Sequence, residues 1–218
     1  ALTPHDAPGQ RRLAWRVAEA GGAVALVFVD GFGNVSHLFR AAPQGARLEI
    51  VAEGVVETAG RVDRNPDPDA DTNAVANAVA DADTDAASAC PGEPLAPAFF
   101  LRATPRTTPT PALRAFAADV RAALPAAHRG DACHEGLRLA ERLCESIAHR
   151  AGATSVETRA DEAFATGAGV CQDRTHLLLL LARELGHPAR YVSGYWYGAA
   201  LEDEGAMHAW AEIWHPQR

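Results

Sequence analysis

Leucines fill positions 177–181 without interruption, and this run most constrains how the chain can fold. The segment 171–185 around them predicts a helix that is apolar on every side of its middle. Such a helix is stable only when protein surrounds it, so it belongs at the centre of a core. Gly186 and Pro188 stop it, because glycine takes the left-handed conformation after a last turn and proline cannot extend one. It begins directly after Gly167-Ala168-Gly169-Val170, which places Cys171 in the first turn. Two strands, 190–196 and 207–214, follow it, joined by the acidic loop 201–205.

Upstream, 111–124 reads as a helix with a proline in its first turn. Residues 134–150 read as another, with Leu137, Leu139, Leu143, Cys144 and Ile147 as its apolar stripe. Cys144 is therefore expected to be structural. A short helical turn is expected at 158–164. Residues 11–59 are β-rich, with strands expected at 12–18, 23–29, 35–40 and 48–57 and turns at Asp30-Gly31 and Gly33-Asn34. A meander or small sandwich accounts for this region. Between the two halves, 63–92 is rich in Asp and Ala and has few large apolar residues. It cannot bury enough surface to offset chain entropy, and it reads as a disordered insert. The run Asp67, Asp69, Asp71 resembles the start of a calcium loop, but Thr72 and Ala78 stand where such a loop wants Gly and Glu. The expected plan is a β-rich region at 1–62, an insert or linker at 63–98, and a helix-and-strand core at 99–218.

The 218 residues carry a net charge of −8, which argues against a nucleic-acid binder. No apolar run approaches the ~18 residues of a membrane span. The first ten residues show no basic-then-apolar leader, so a cytoplasmic setting is expected, although the absent initiator Met leaves the start open. The four cysteines, Cys90, Cys133, Cys144 and Cys171, show no metal-type spacing, and no metal or cofactor is expected. All 20 basic residues are arginine, so the chain offers no lysine of its own as an acyl acceptor.

The chemistry concentrates at the start of the leucine helix. A helix N-terminus offers partial positive charge and N–H groups that favour a thiolate at Cys171. Gly167 and Gly169 permit a tight turn and close approach of a substrate. Backbone N–H groups near Gly169 and Gln172 are candidates for holding an oxyanion, and Asp173 is expected to cap the helix. A cysteine nucleophile needs a base. His176 lies about 140° around the helix from Cys171 and is expected to face the helix–sheet packing. His208 is the better candidate. Strand alternation puts Met207, Ala209, Ala211 and Ile213 on one face and His208, Trp210, Glu212 and Trp214 on the other. Trp210, Trp214 and Tyr195 are candidates for a substrate wall. His5, His37, His128, His134, His149, His187 and His215 read as loop or exposed-face residues without a special role.

Gly-x-Gly-Val-Cys-Gln-Asp at 167–173, Pro-Ala-Arg-Tyr-Val-Ser-Gly-Tyr at 188–195 and His-Ala-Trp-Ala-Glu at 208–212 together resemble the transglutaminase-like cysteine enzyme superfamily. The resemblance covers about residues 110–214. Asp30 to His37 is similar to the β-rich region that precedes the core in bacterial members. The resemblance implies an α+β fold with a papain-like core, in which a central helix carrying Cys packs on an antiparallel sheet. It also implies a Cys–His–Asp triad with Cys171 as nucleophile and His208 as general base, acting on a peptide or protein amide through a thioester.

One departure matters. The family places an Asp on the strand after the histidine strand, and the chain stops at Arg218 before such a strand. A fragment of a longer chain is the expected explanation. Hydrolysis is favoured over acyl transfer to an amine, because no feature announces a channel that excludes water. A non-catalytic binding or scaffold domain is the rival reading, and a thiol redox protein is disfavoured because no resolving cysteine lies nearby. The oligomeric state is left open.

Overall fold

A computed structural model describes residues 3–6, 9–19, 24–39, 50–58, 95–196 and 206–216. The expected disordered insert at 63–92, its aspartates, Cys90 and the acidic loop 201–205 lie outside the described residues. The chain divides into two compact units, with the boundary between Leu95 and Ala96.

In the first unit, β1 (Gln10–Glu19), β2 (Val24–Val29), β3 (Val35–Phe39) and β4 (Ile50–Thr58) form where strands were expected. Their pairing is not that of a meander. β2 and β3 form a hairpin, while β1 pairs antiparallel with β4 around it. Complementary charge supports this register. Arg11 lies opposite Glu57 and Arg16 opposite Glu53, and each guanidinium donates to its carboxylate. Opposed unlike charges favour a strand pairing. The hairpin turn is tied by Asp30, whose Oδ1 accepts the N–H groups of Phe32 at 2.8 Å and Asn34 at 2.9 Å. Gly33 supplies the positive φ of 83° that the turn requires.

The second unit contains α1 (Pro111–Ala123), α2 (Ala132–Ser146), β5 (Ala148–His149), α3 (Ala160–Thr166), β6 (Ala168–Gly169), α4 (Cys171–Glu184), β7 (Ala189–Trp196) and β8 (Ala206–Ile213). α4 is the central element. Leu177, Leu179, Leu180 and Leu181 are buried, together with Leu113 and Val120 of α1, Leu139 and Leu143 of α2, and Ala163 of α3. β7 and β8 pair antiparallel, with Gly194 opposite His208 and Tyr191 opposite Ala211. The expected alternation holds from Ala209 onward: Ala209 is buried, Ala211 and Ile213 pack on the core, and Trp210 and Trp214 are exposed, whereas Met207, expected on the packed face, is exposed near the start of the strand. Gly136 of α2 lets Ile213 approach, since a Cβ there would lie 2.8 Å from the Ile213 Cδ1.

Three expectations are corrected here. α2 starts at Ala132 and ends at Ser146, earlier than 134–150, because Asp131 is its N-cap, accepting the His134 N–H at 2.9 Å. The chain then turns into β5, which pairs in parallel with β6. Cys144 is exposed rather than part of the stripe. Leu139, Leu143 and Ile147 follow one another at four-residue steps, and Cys144 is rotated about 100° from Leu143. The buried face of α2 instead carries Glu135, fully enclosed. His187, read as a loop histidine, is buried against that carboxylate.

Candidate functional site

The start of α4 is built by three residues acting together. Gly167 closes α3 with φ 66°. Asp173, 1% exposed, folds back so that its Oδ2 accepts the Val170 N–H at 2.8 Å and the Thr154 hydroxyl at 2.6 Å. Gly169 makes the space, because a Cβ there would sit 2.7 Å from the Asp173 Oδ2. The room expected at Gly169 for a substrate is thus taken by the capping carboxylate. Asp173 fills the capping role, and both of its oxygen's partners are structural.

Cys171 follows as a half-buried free thiol on the first turn, with Gln172 half-buried beside it. First-turn N–H groups have no acceptor within a helix, and those of Cys171 and Gln172 are available to a ligand's oxygen. Tyr191 of β7 lies near Cys171. Burial first, and then the proximity of that thiol, push its phenol above the ordinary value. His176 packs its ring 5.3 Å from the Tyr191 ring, in the helix–sheet interface as expected. Burial holds its imidazole below its usual value, with Arg106 and Arg183 adding to the effect against the pull of Asp173.

His208 is near the start of β8, on the strand face shared with Trp210, whose ring it meets edge-on at 4.8 Å. Trp210 in turn covers Gly194, where a Cβ would lie 2.5 Å from the indole. Desolvation lowers the His208 pKa, and the charge of His149 lowers it further. His149 was read as ordinary. It stands in β5 opposite Gly169, and the next N–H, of Arg150, donates to the Gly169 carbonyl at 2.9 Å. His149 thus pairs beside Gly169, two residues before Cys171, and is near enough to His208 to bear on its charge. Among the described residues no hydrogen bond joins the Cys171 thiol to an imidazole. Chain direction places both residues toward one end: β7 runs back from the C-terminal end of α4, and His208 pairs near its far end.

The expected substrate-wall residues separate. Trp210 sits beside His208. Trp214 lies past the end of β8, its N–H donating to the Pro188 carbonyl at 2.8 Å. It lines a shallow cleft of about 400 Å³ with His187 and His215. Tyr195 is in β7 opposite Met207. Tyr191, His149 and Thr154 escaped the sequence reading as members of this neighbourhood. Only Tyr191 had a local signal, since it alternates with Ser193 on the face turned to α4.

No helix among the described residues is long and apolar enough to cross a membrane. A family model of the transglutaminase-like superfamily matches residues 114–218. Uncharacterised proteins of Mycobacterium tuberculosis and Mycobacterium bovis are 30% identical over 224 residues, covering 100% of this chain and 67% of theirs. The crystal structure of a Cytophaga hutchinsonii protein described as a candidate cysteine protease superposes with a TM-score of 0.65 at 20% identity, over 99% of this chain and 66% of that one. The chain thus spans about two-thirds of the length of these relatives. The fold around α4, the match across 114–218 and the mycobacterial likeness over the whole of this chain agree, and the chain belongs to the transglutaminase-like superfamily.

Proposed function

We propose that the chain is the core of a cysteine-dependent amide-bond enzyme, with Cys171 as nucleophile and His208 as its base. The observation that carries this reading is a half-buried thiol on the first turn of a buried, capped helix, in a chain of this superfamily. Transfer of the thiol proton to His208 leaves a thiolate that attacks an amide carbonyl. The N–H groups of the first turn of α4 receive the oxyanion. The imidazolium then gives its proton to the leaving amine, and a thioester remains. Water, deprotonated by His208, releases the acid and restores the thiol. A base held neutral by its surroundings suits the first step, and the lowered His208 pKa favours that state. Catalytic hydrogen bonds are commonly long before substrate binds, and approach of the His208 ring to the thiol is part of this reading.

Hydrolysis is the preferred outcome. Acyl transfer to an amine is the alternative within the same chemistry, and a peptide or protein amide is the substrate class in either case. His149 is the competing imidazole, because of its place beside Gly169. The test is alkylation of Cys171 by iodoacetamide across pH, followed by intact mass. The expected profile has a midpoint well below the ~8.5 of an ordinary thiol and moves up in His208→Ala. A profile that stays at ~8.5, or one unchanged by His208→Ala, rejects the pairing, and a shift seen only in His149→Ala assigns the base to that residue instead.

A further inference from the structure

Beyond the opposite end of α4, the fold assembles a second set of reactive side chains. Asp131 and Cys133 come from the N-terminus of α2, and His215 from the segment after β8. A carboxylate oxygen, the thiol sulfur and an imidazole nitrogen lie within 4.8 Å of one another. This group is remote from His208. The stretch between His208 and His215 is extended, which separates the two by roughly 20 Å.

The local geometry suits a cation. Asp131 divides its oxygens between two tasks. Its Oδ1 accepts the backbone N–H of His134 at 2.9 Å and meets that residue's Nδ1 at 2.8 Å, which fixes the carboxylate in place. Its Oδ2 turns the other way, 3.2 Å from His215 Nε2. Oxygen and nitrogen ligands of a tetrahedral zinc ion, each bonded at about 2.0–2.1 Å, stand about 3.3 Å apart. One edge of the coordination tetrahedron is therefore already set. The Trp214 N–H to Pro188 carbonyl bond at 2.8 Å holds the chain that carries His215. Asp131 and His215 both line the cleft of about 400 Å³, which gives an entry path.

We propose that Asp131, Cys133 and His215 bind one zinc ion, with solvent as the fourth ligand. The donor set selects the metal. Thiolate and imidazole suit zinc, whereas magnesium and calcium require oxygen ligands throughout. Binding expels the Cys133 thiol proton to solvent and moves the His215 ring proton from Nε2 to Nδ1. His134 is the outer-shell partner that orients the carboxylate. The ion ties the start of α2 to the chain that leaves β8, two segments 84 positions apart at Asp131 and His215.

The test uses the chain of residues 1–218, freed of metal and titrated with Co(II) as a visible probe and with Zn(II) against a chromophoric chelator. One Co(II) per chain is expected to give a thiolate-to-cobalt charge-transfer band. Cys133→Ser should abolish the band and lower zinc affinity by about 100-fold or more, at or beyond what losing an outer-shell partner costs. Asp131→Asn keeps an N-cap for α2 and should weaken zinc similarly, with circular dichroism unchanged. Cys171→Ser should leave band and affinity intact. The absence of a thiolate band in the parent chain overturns the proposal. So does a band that survives Cys133→Ser or disappears in Cys171→Ser.

Discussion

Glu135→Ala is expected to destabilise the helical unit by about 3–5 kcal/mol, the usual cost of removing one partner from a buried ion pair. The carboxylate is fully enclosed and accepts four hydrogen bonds. Arg121 donates from Nε at 2.5 Å and from Nη2 at 2.6 Å, Gly130 donates its N–H at 2.7 Å, and His187 donates from Nε2 at 2.6 Å. An ionised carboxylate can only accept, which sets the His187 proton on Nε2. Arg121 also reaches the Leu185 carbonyl at 2.8 Å. One side chain of α2 thus joins α1, the turn before α2 and the turn after α4.

The pH dependence of this contribution has a definite sign. Burial opposes the Glu135 charge, but Arg121, the Gly130 N–H and His187 outweigh it and bring the pKa from 4.5 down to about 2. A pKa lower in the folded than in the unfolded state gives stability that is complete above 4.5 and is lost as pH falls from there to about 2. The difference corresponds to about 3 kcal/mol. Denaturant melts of the parent chain should show that loss across the window, and Glu135→Ala should lack it. A variant within about 1 kcal/mol of the parent at neutral pH would show that the network is not a structural tie.

Cys171→Ala is expected to lower turnover of an activated amide or ester substrate by about 10⁴-fold or more, while stability changes by about 1 kcal/mol or less. The thiol is half-buried, and the cap below it is formed by Asp173 and Gly169, so its removal leaves the helix start intact. His208→Ala should cost a comparable factor. The double variant should be hardly worse than either single one, because a nucleophile and its base act as a unit. Intact mass should reveal an acyl adduct on the parent chain and none on Cys171→Ala. Retained turnover in Cys171→Ala would remove the nucleophile assignment, and additive losses would separate the two residues.

What could be read from the sequence follows the range over which its physics acts. The leucine run of α4, its glycine stop and the alternation of β8 from Ala209 onward are local patterns, and each appears where it was expected. The Asp173 cap was legible because its partner is three residues away. β5 and β6 were not, since two residues carry no periodicity and their pairing is tertiary. The exposure of Cys144 was missed by treating neighbouring apolar positions as one stripe, when a single residue's step turns a helix by about 100°. Glu135 and His187 met the same obstacle from the other side. A charged residue in a helix reads as surface until its distant partners are known. The group of Asp131, Cys133 and His215 shows no spacing signature because two of its members precede the third by most of the unit.

The nesting of the β2–β3 hairpin between β1 and β4 along the chain bears on synthesis. The hairpin can close as soon as Phe39 has left the ribosome, since its pairing is with adjacent sequence. β1 must wait unpaired until Thr58 emerges, because its hydrogen-bonding partner is the last of the four strands to be translated. During that interval the nascent chain presents an open strand edge, the kind of surface that recruits chaperones or neighbouring polypeptides.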